Sequence, residues 1–140
     1  MRWVVLVAWM LAACEDSRWR VDVGELYPGR DPSFEVPASA SPKVPFFVRV
    51  VTRGGGCSEF DSTDVDAGPD GALITPYDRY YTPRENEGCI AILVPIMHEE
   101  MVVFATTGTK TIRIRTRRVW SSAGQRFEEL VDTPFYVVVE

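Results

Sequence analysis

Histidine and cysteine are scarce in this chain of 140 residues, which contains one histidine and three cysteines. A structural zinc site needs four nitrogen or sulfur ligands, usually with two of them close together in the sequence. Cys57 and Cys89 are far apart, and His98 is the sole imidazole, so an ordinary zinc site is excluded. A cupredoxin-like copper site built from Cys89, His98 and Met101 fails because it needs a second histidine.

Excess positive charge and long apolar runs are also missing. Fifteen Lys and Arg residues face twenty Asp and Glu residues, and the net charge is −5. Such a molecule repels nucleic acid, so no nucleic-acid partner is expected. The longest apolar run near the N-terminus, residues 3–13, has 11 residues. A membrane-spanning helix needs about twenty, so this run does not predict a permanent transmembrane anchor.

The first 14 residues have the layout of a secretory signal, with Arg2, the apolar run and small residues before Cys14. Residues 11–14 (LAAC) resemble the lipobox of bacterial lipoproteins. This resemblance implies cleavage before Cys14, a diacylglyceryl group on its thiol, and acyl chains such as palmitate that anchor the protein to a membrane. The alternatives are an ordinary signal peptide cut after small residues, or a wrongly assigned start codon.

The resemblance places the protein in the bacterial cell envelope, outside the cytoplasm, on the inner or the outer membrane. It also gives the domain plan. Residues 1–13 are the signal peptide, and residues 14–43 hold the lipid anchor, a short strand and a proline-rich segment. Residues 44–140 form the core of the domain.

Cys57 and Cys89 remain as one pair once Cys14 is acylated. An exported protein meets an oxidising compartment, so we expect a disulfide between them. It would close a ring of 33 residues, from position 57 to position 89. The chain-entropy relation gives about 3.5–4 kcal/mol of stabilisation for such a ring.

Period-two alternation and turn signals predict an all-β fold. No segment carries a helical stripe over three turns. Ten glycines and ten prolines fit a turn-rich β protein. The predicted strands are residues 19–23, 44–52, 59–65, 72–77, 89–95, 101–106, 110–118 and 135–139, with a loop at 77–88.

About seven to nine short strands suit a β-sandwich. Residues 101–116, with an aromatic residue before a Gly-Thr turn and then alternating isoleucines, resemble the late strands of bacterial immunoglobulin-like domains. That resemblance implies an immunoglobulin-like β-sandwich after the cleaved signal segment. The alternative architectures are a small β-barrel or a cupredoxin-like sandwich.

No catalytic or cofactor motif is complete, so neither catalytic residues nor a cofactor are expected. His98-Glu99-Glu100 begins like a zincin helix, but Val102 occupies the position of the second histidine. No serine lies in a GxSxG elbow. We interpret His98 as a residue at the start of a strand or on the surface.

Two clusters can bind partners. Asp61, Asp64, Asp66 and Asp70 form a weak calcium candidate, and turn formation is the alternative explanation. Arg113, Arg115 and Arg117 alternate with core residues and form an arginine stripe, while Tyr77, Tyr80 and Tyr81 lie in the predicted loop. An exposed solvated stripe and tyrosines packed over the end of the sandwich are the alternatives.

The sequence thus favours a membrane-anchored lipoprotein with a non-enzymatic binding or structural role. Its expected partners are the membrane, through the lipid on Cys14, and an envelope protein or polysaccharide. The alternative is a periplasmic hydrolase whose active-site residues are distributed along the chain.

Overall fold

The computed structural model describes residues 18–26 and 33–140. These residues form strands, turns and loops without a helix, which confirms the predicted all-β class. Residues 1–17, with the signal segment and Cys14, lie outside the described residues. The strands are β1 (Trp19–Val23), β2 (Glu25–Leu26), β3 (Phe34–Glu35), β4 (Ser39–Ala40), β5 (Phe46–Gly54), β6 (Ser58–Gly68), β7 (Gly71–Tyr81), β8 (Val94–Val102), β9 (Gly108–Ser122) and β10 (Gln125–Val139).

All ten strands belong to one hydrogen-bonded sheet. β7 pairs with β6 along one edge, and with β1 and β9 along the other. β9 connects through β2 to β5, and β5 pairs with β8 on its far side. The sheet is strongly curled, so β6 and β8, at its two ends, come close together.

The concave side of this curled half-barrel holds the core. Strand alternation explains the arrangement, because every second side chain of β5 and β9 points inward. Ile112 and Ile114 are fully buried while Arg113 and Arg115 face solvent, as the alternation predicts. The buried apolar cluster consists of Val48, Val50, Ala72, Ile74, Val102, Phe104, Ile112, Ile114, Val137 and Val139.

Three predicted segments differ from the structure. Of the predicted strand at residues 101–106, only Met101 and Val102 lie in a strand, at the end of β8, and residues 103–107 connect β8 to β9. Residues 89–93 form no strand, and β8 begins at Val94. The reason is that this run lies across the turn between β5 and β6, where the amide of Gly56 donates to the carbonyl oxygen of Ile90 at 3.2 Å. Residues 77–81 belong to β7 rather than to a loop, because β1 pairs with them along one edge.

β9 and β10 extend beyond the predicted strands into an exposed hairpin, residues 118–130, which we call the arm. Ala123 and Gly124 connect its strands with φ of 50° and 76°. Two left-handed residues in a two-residue connection match the twist of a hairpin, and glycine tolerates that conformation best. Trp120 and Phe127 stack across the arm with ring centroids 5.6 Å apart.

Candidate functional site

The disulfide is present, and it closes the loop before β8 onto the turn before β6. The Cα atoms of Cys57 and Cys89 are 5.4 Å apart, which confirms the predicted bond. The predicted strand after Cys89 is replaced by an exposed apolar segment, residues 89–93. The disulfide therefore holds this segment beside the turn that precedes β6.

The structure does not bring the four aspartates of the calcium candidate together. Asp61, Asp64 and Asp66 lie along β6, and Asp70 lies in the turn after it. Within the ranges 18–26 and 33–140, no three acidic, histidine or cysteine groups converge on a metal position.

Arg117 departs from the predicted arginine stripe. Arg113 is exposed and Arg115 pairs with Asp132 at the surface, but Arg117 is only 4% exposed. The chain near β1 and the ring of Tyr80 cover it. Its Nη1 donates to Asp22 at 2.9 Å, and its Nη2 donates to the hydroxyl of Tyr80 at 3.1 Å.

A groove of about 690 Å³ opens beside Arg117, between the ends of β5 and β7 and the segment before β8. Four arginines line it, namely Arg20, Arg53, Arg117 and Arg126, and Glu25 is the one acidic residue among its lining residues. The apolar side of the groove is formed by residues 91–93 and Tyr80. We call this the arginine groove.

Much of the charge around the groove is paired. Arg53 pairs with Glu25, Arg20 lies 3.2 Å from Asp22, and Arg126 lies 2.9 Å from Glu128. Arg117 shares the same Asp22 and Glu128 carboxylates. Four guanidinium groups therefore face three carboxylates, and one positive charge is left over.

Arg117 also keeps one donor unused. Its Nε is buried and has no hydrogen-bond acceptor among the residues that the structure describes. Burial alone lowers the pKa of Arg117, but Tyr80, Asp22 and Glu128 outweigh it and the net shift is upward. The side chain is therefore a buried cation, held in place by its contacts, at the wall of the arginine groove.

The three tyrosines have different environments on β7. Tyr80 lines the arginine groove, and burial, reinforced by the Asp78 carboxylate, raises its pKa. Tyr81 donates to Glu87 at 2.6 Å and packs against Trp19. Tyr77 is half-buried on β7. The structure does not bring the three tyrosines together into a single loop surface.

His98 is buried at 1% exposure, so its predicted position at a strand start or on the surface is wrong. It is the middle residue of β8 and faces the inside of the curled sheet. Its Nε2 contacts Asp78 Oδ1 at 2.9 Å, and its Nδ1 contacts Thr63 Oγ1 at 2.9 Å. Thr52 donates to the other Asp78 oxygen at 2.7 Å. We call these four residues the histidine network.

Gly24 shows how closely the histidine network is enclosed. A Cβ atom at this position would lie 2.4 Å from the Thr52 methyl and 2.9 Å from Asp78 Oδ2. A side chain at position 24 would therefore displace the network. The sequence contains a signal for this network, because His98 and Ile96 share the period-two alternation of inward residues that continues to Val102.

Asp78, His98 and Thr63 stand in the order of a carboxylate, a base and a hydroxyl, the arrangement of nucleophilic hydrolases. Hydrogen bonds occupy both nitrogens of the imidazole. None of the three residues lines the arginine groove or the groove beside the turn after β6. The most direct role of these contacts is to join β8 to β6 and β7 across the ends of the sheet.

Comparisons with known proteins found no protein-family model, no curated protein and no solved structure that matches this chain. Within the part of the chain that the structure describes, there is no helix with the length and hydrophobicity that crossing a bilayer requires. The functional proposal therefore rests on the residues themselves.

Proposed function

We propose that this chain is a lipoprotein of the bacterial cell envelope, anchored through Cys14, whose β domain binds an acidic polysaccharide without transforming it. The lipobox-like residues 11–14 support the anchor, and the Cys57–Cys89 disulfide fits an oxidising compartment. Palmitate or similar acyl chains on Cys14 hold the domain at the membrane, outside the cytoplasm.

The arginine groove is the observation that carries the binding role. Its guanidinium groups exceed the neighbouring carboxylates by one, and Arg117 places a buried positive charge at its wall. A carboxylate on a sugar would balance that charge, since guanidinium groups bind carboxylates through charge-assisted hydrogen bonds and the exposed Arg20 and Arg126 can donate them. The open groove leaves room for neighbouring sugars to lie against residues 91–93.

Calorimetric titration of the mature chain with polygalacturonate tests this role, with neutral dextran as the comparison ligand. Replacing Arg20 and Arg126 together by alanine should weaken polygalacturonate binding at least tenfold. Their side chains are 65% and 59% exposed, so the fold should tolerate the change. Arg113→Ala is the matched control, because this exposed arginine lies outside the groove. Equal binding by all three proteins would contradict the role.

Mass spectrometry of the mature N-terminus tests the anchor separately. We expect a peptide that begins at Cys14 and carries a diacylglyceryl group. The Cys14→Ser variant should lose that group and should leave the membrane fraction. An unmodified N-terminus at another residue would contradict the proposed anchor without affecting the groove.

We further propose that the curled sheet is a variant of the immunoglobulin-like sandwich. The contact between Thr63 of β6 and His98 of β8 supports this assignment, because it brings the two end strands of the sheet together. A crystal structure in which β6–β7 and β5–β8 form two facing layers is the expected result. A structure in which these pairs do not face each other would contradict it.

A periplasmic hydrolase is the second candidate, because the Asp78–His98–Thr63 order favours it. Turnover of small esters by the mature chain, and its loss in Thr63→Ala, would support this candidate. Activity at the buffer rate in both proteins would contradict it.

A further inference from the structure

An aromatic and arginine-containing surface lies beside the first described residue. Trp19 and Val21 of β1 are 39% and 51% exposed, although both are large apolar side chains. The register pairs Trp19 with Tyr81 and Val21 with Arg79, so all four side chains lie on one side of the sheet. We call these four residues the β1 face.

The contacts within the β1 face hold its aromatic rings in place. The Trp19 and Tyr81 ring centroids are 5.1 Å apart, and the Arg79 guanidinium carbon lies 4.9 Å from the Trp19 ring. Arg79 also pairs with Glu59 at 2.7 Å. The face is therefore close to electrically neutral, and its exposed surface is amphipathic.

The covalent tether limits where this face can be. Only residues 15–17 separate Cys14 from Arg18, and four Cα-to-Cα steps span about 14 Å at most. The headgroup layer of a bilayer is itself about 5–7 Å thick. A lipid on Cys14 therefore keeps the start of β1 within a few residue lengths of the membrane surface.

We infer that the β1 face rests in the headgroup layer of the membrane to which Cys14 is anchored. Tryptophan and tyrosine concentrate at this depth because one end of each ring system is apolar and the other is polar. Arg79 can keep its charged end among the phosphates while its stem covers apolar surface. Because Glu59 balances Arg79, anionic lipids are not required. This inference rests on the proposed acylation of Cys14.

Tryptophan fluorescence measures whether the β1 face contacts the membrane. Removal of residues 1–13 leaves Trp19 and Trp120 as the tryptophans of the mature chain. The lipidated Trp120→Phe protein, reconstituted in phosphatidylcholine vesicles, therefore reports on Trp19 alone. Brominated phosphatidylcholine should quench this emission at least twofold. The reciprocal Trp19→Phe protein reports from the arm, and its emission should change by less than about a fifth.

A matched pair of valine variants locates the contact. Val21→Asp in the Trp120→Phe background adds a charge to the β1 face and should reduce the quenching of Trp19 at least by half. Val44→Asp is the control, since Val44 is 53% exposed and precedes β5, which does not pair with β1. Thermal unfolding of each variant verifies that the domain is folded.

The outcomes separate docking from acylation. Mass spectrometry of the same samples establishes whether Cys14 carries lipid. Lipidated protein whose Trp19 is no more quenched than Trp120 would overturn the docking inference and leave the anchor intact. Quenching that is equal in Val21→Asp and in the unsubstituted face would overturn it as well.

Discussion

Thr52 offers the sharpest test of the histidine network, because its hydroxyl and its methyl group make different contributions. The side chain is fully buried, and its hydroxyl donates to Asp78 Oδ2 at 2.7 Å. Thr52→Val keeps the shape of the side chain and removes this donor. A buried carboxylate oxygen is then left without one of its hydrogen bonds, which costs about 1.5–3 kcal/mol.

Thr52→Ser is the matched variant, because it keeps the hydroxyl and removes one buried methyl group. Loss of one buried methyl group costs about 1 kcal/mol. We therefore expect the free energy of unfolding to fall by about 2 kcal/mol in Thr52→Val and by about half as much in Thr52→Ser. The valine variant should be the less stable of the two.

Urea unfolding of the oxidised mature chain, followed by tryptophan fluorescence, measures this difference. With a slope of about 2 kcal/mol per molar urea, the valine variant should unfold at a midpoint about 1 M lower than the wild-type midpoint. The opposite order of the two variants would show that packing around the methyl group matters more than the hydrogen bond to Asp78. The network would then be incidental to stability.

Three further predictions concern the disulfide and β9. Replacing Cys57 and Cys89 together by serine should lower the free energy of unfolding by about 3.5–4 kcal/mol, and an unchanged urea midpoint would contradict the ring-closure contribution. Ile114→Ala should cost about 2–4 kcal/mol, since Ile114 is fully buried, while Arg115→Ala should cost less than about 1 kcal/mol in thermal unfolding. Greater damage from the arginine change would reverse the assignment of the two faces of β9. The hydrogen bond from Arg115 holds the pKa of Asp132 below its usual value. The pair therefore stabilises the fold above the unfolded-state pKa of Asp132, and this stabilisation is lost as the pH falls through the folded-state pKa. Carboxyl NMR titration should show the pKa of Asp132 rising in Arg115→Ala, and an unshifted titration would refute the pairing.

The structure confirms predicted strands with one buried face, such as β9, and also the largely exposed strands β1 and β6. In β9, Ile112 and Ile114 alternate with Arg113 and Arg115, and this pattern alone fixes which face is buried. The arm, residues 118–130, has no such pattern because both of its faces are exposed. The length of the arm depends on hydrogen bonds between the backbones of β9 and β10. Period-two alternation does not predict that length.

For the apolar run at residues 89–93, the sequence predicts a strand that the structure does not contain. Continuous apolar residues predict a strand covered on both faces. The disulfide at Cys89 holds this run beside the turn before β6, where it is exposed and lines the arginine groove. The covalent constraint therefore overrides the strand propensity of these residues. The pairing of Cys57 with Cys89 was predictable, but the path of the chain around the bond was not.

His98 and Arg117 are the two buried residues for which the sequence analysis allowed or predicted an exposed position. The inward positions of β8 include His98, and strand alternation extended back from Val102 would have placed it inside. Arg117 breaks the alternation of β9, because Thr116 and Arg117 are both buried. No pattern within β9 predicts this, since the groups that cover Arg117 come from Asp22 and Tyr80, far away in the sequence.

These two buried polar residues support different roles because their hydrogen bonds are satisfied to different degrees. Both ring nitrogens of His98 have partners, and so do both oxygens of Asp78, so the histidine network is complete without a ligand. Arg117 has an unused donor and lines an open groove. The groove has one more guanidinium group than carboxylates, and an anion would balance that charge. The proposed binding role therefore rests on the arginine groove, while the histidine network joins β5, β6, β7 and β8.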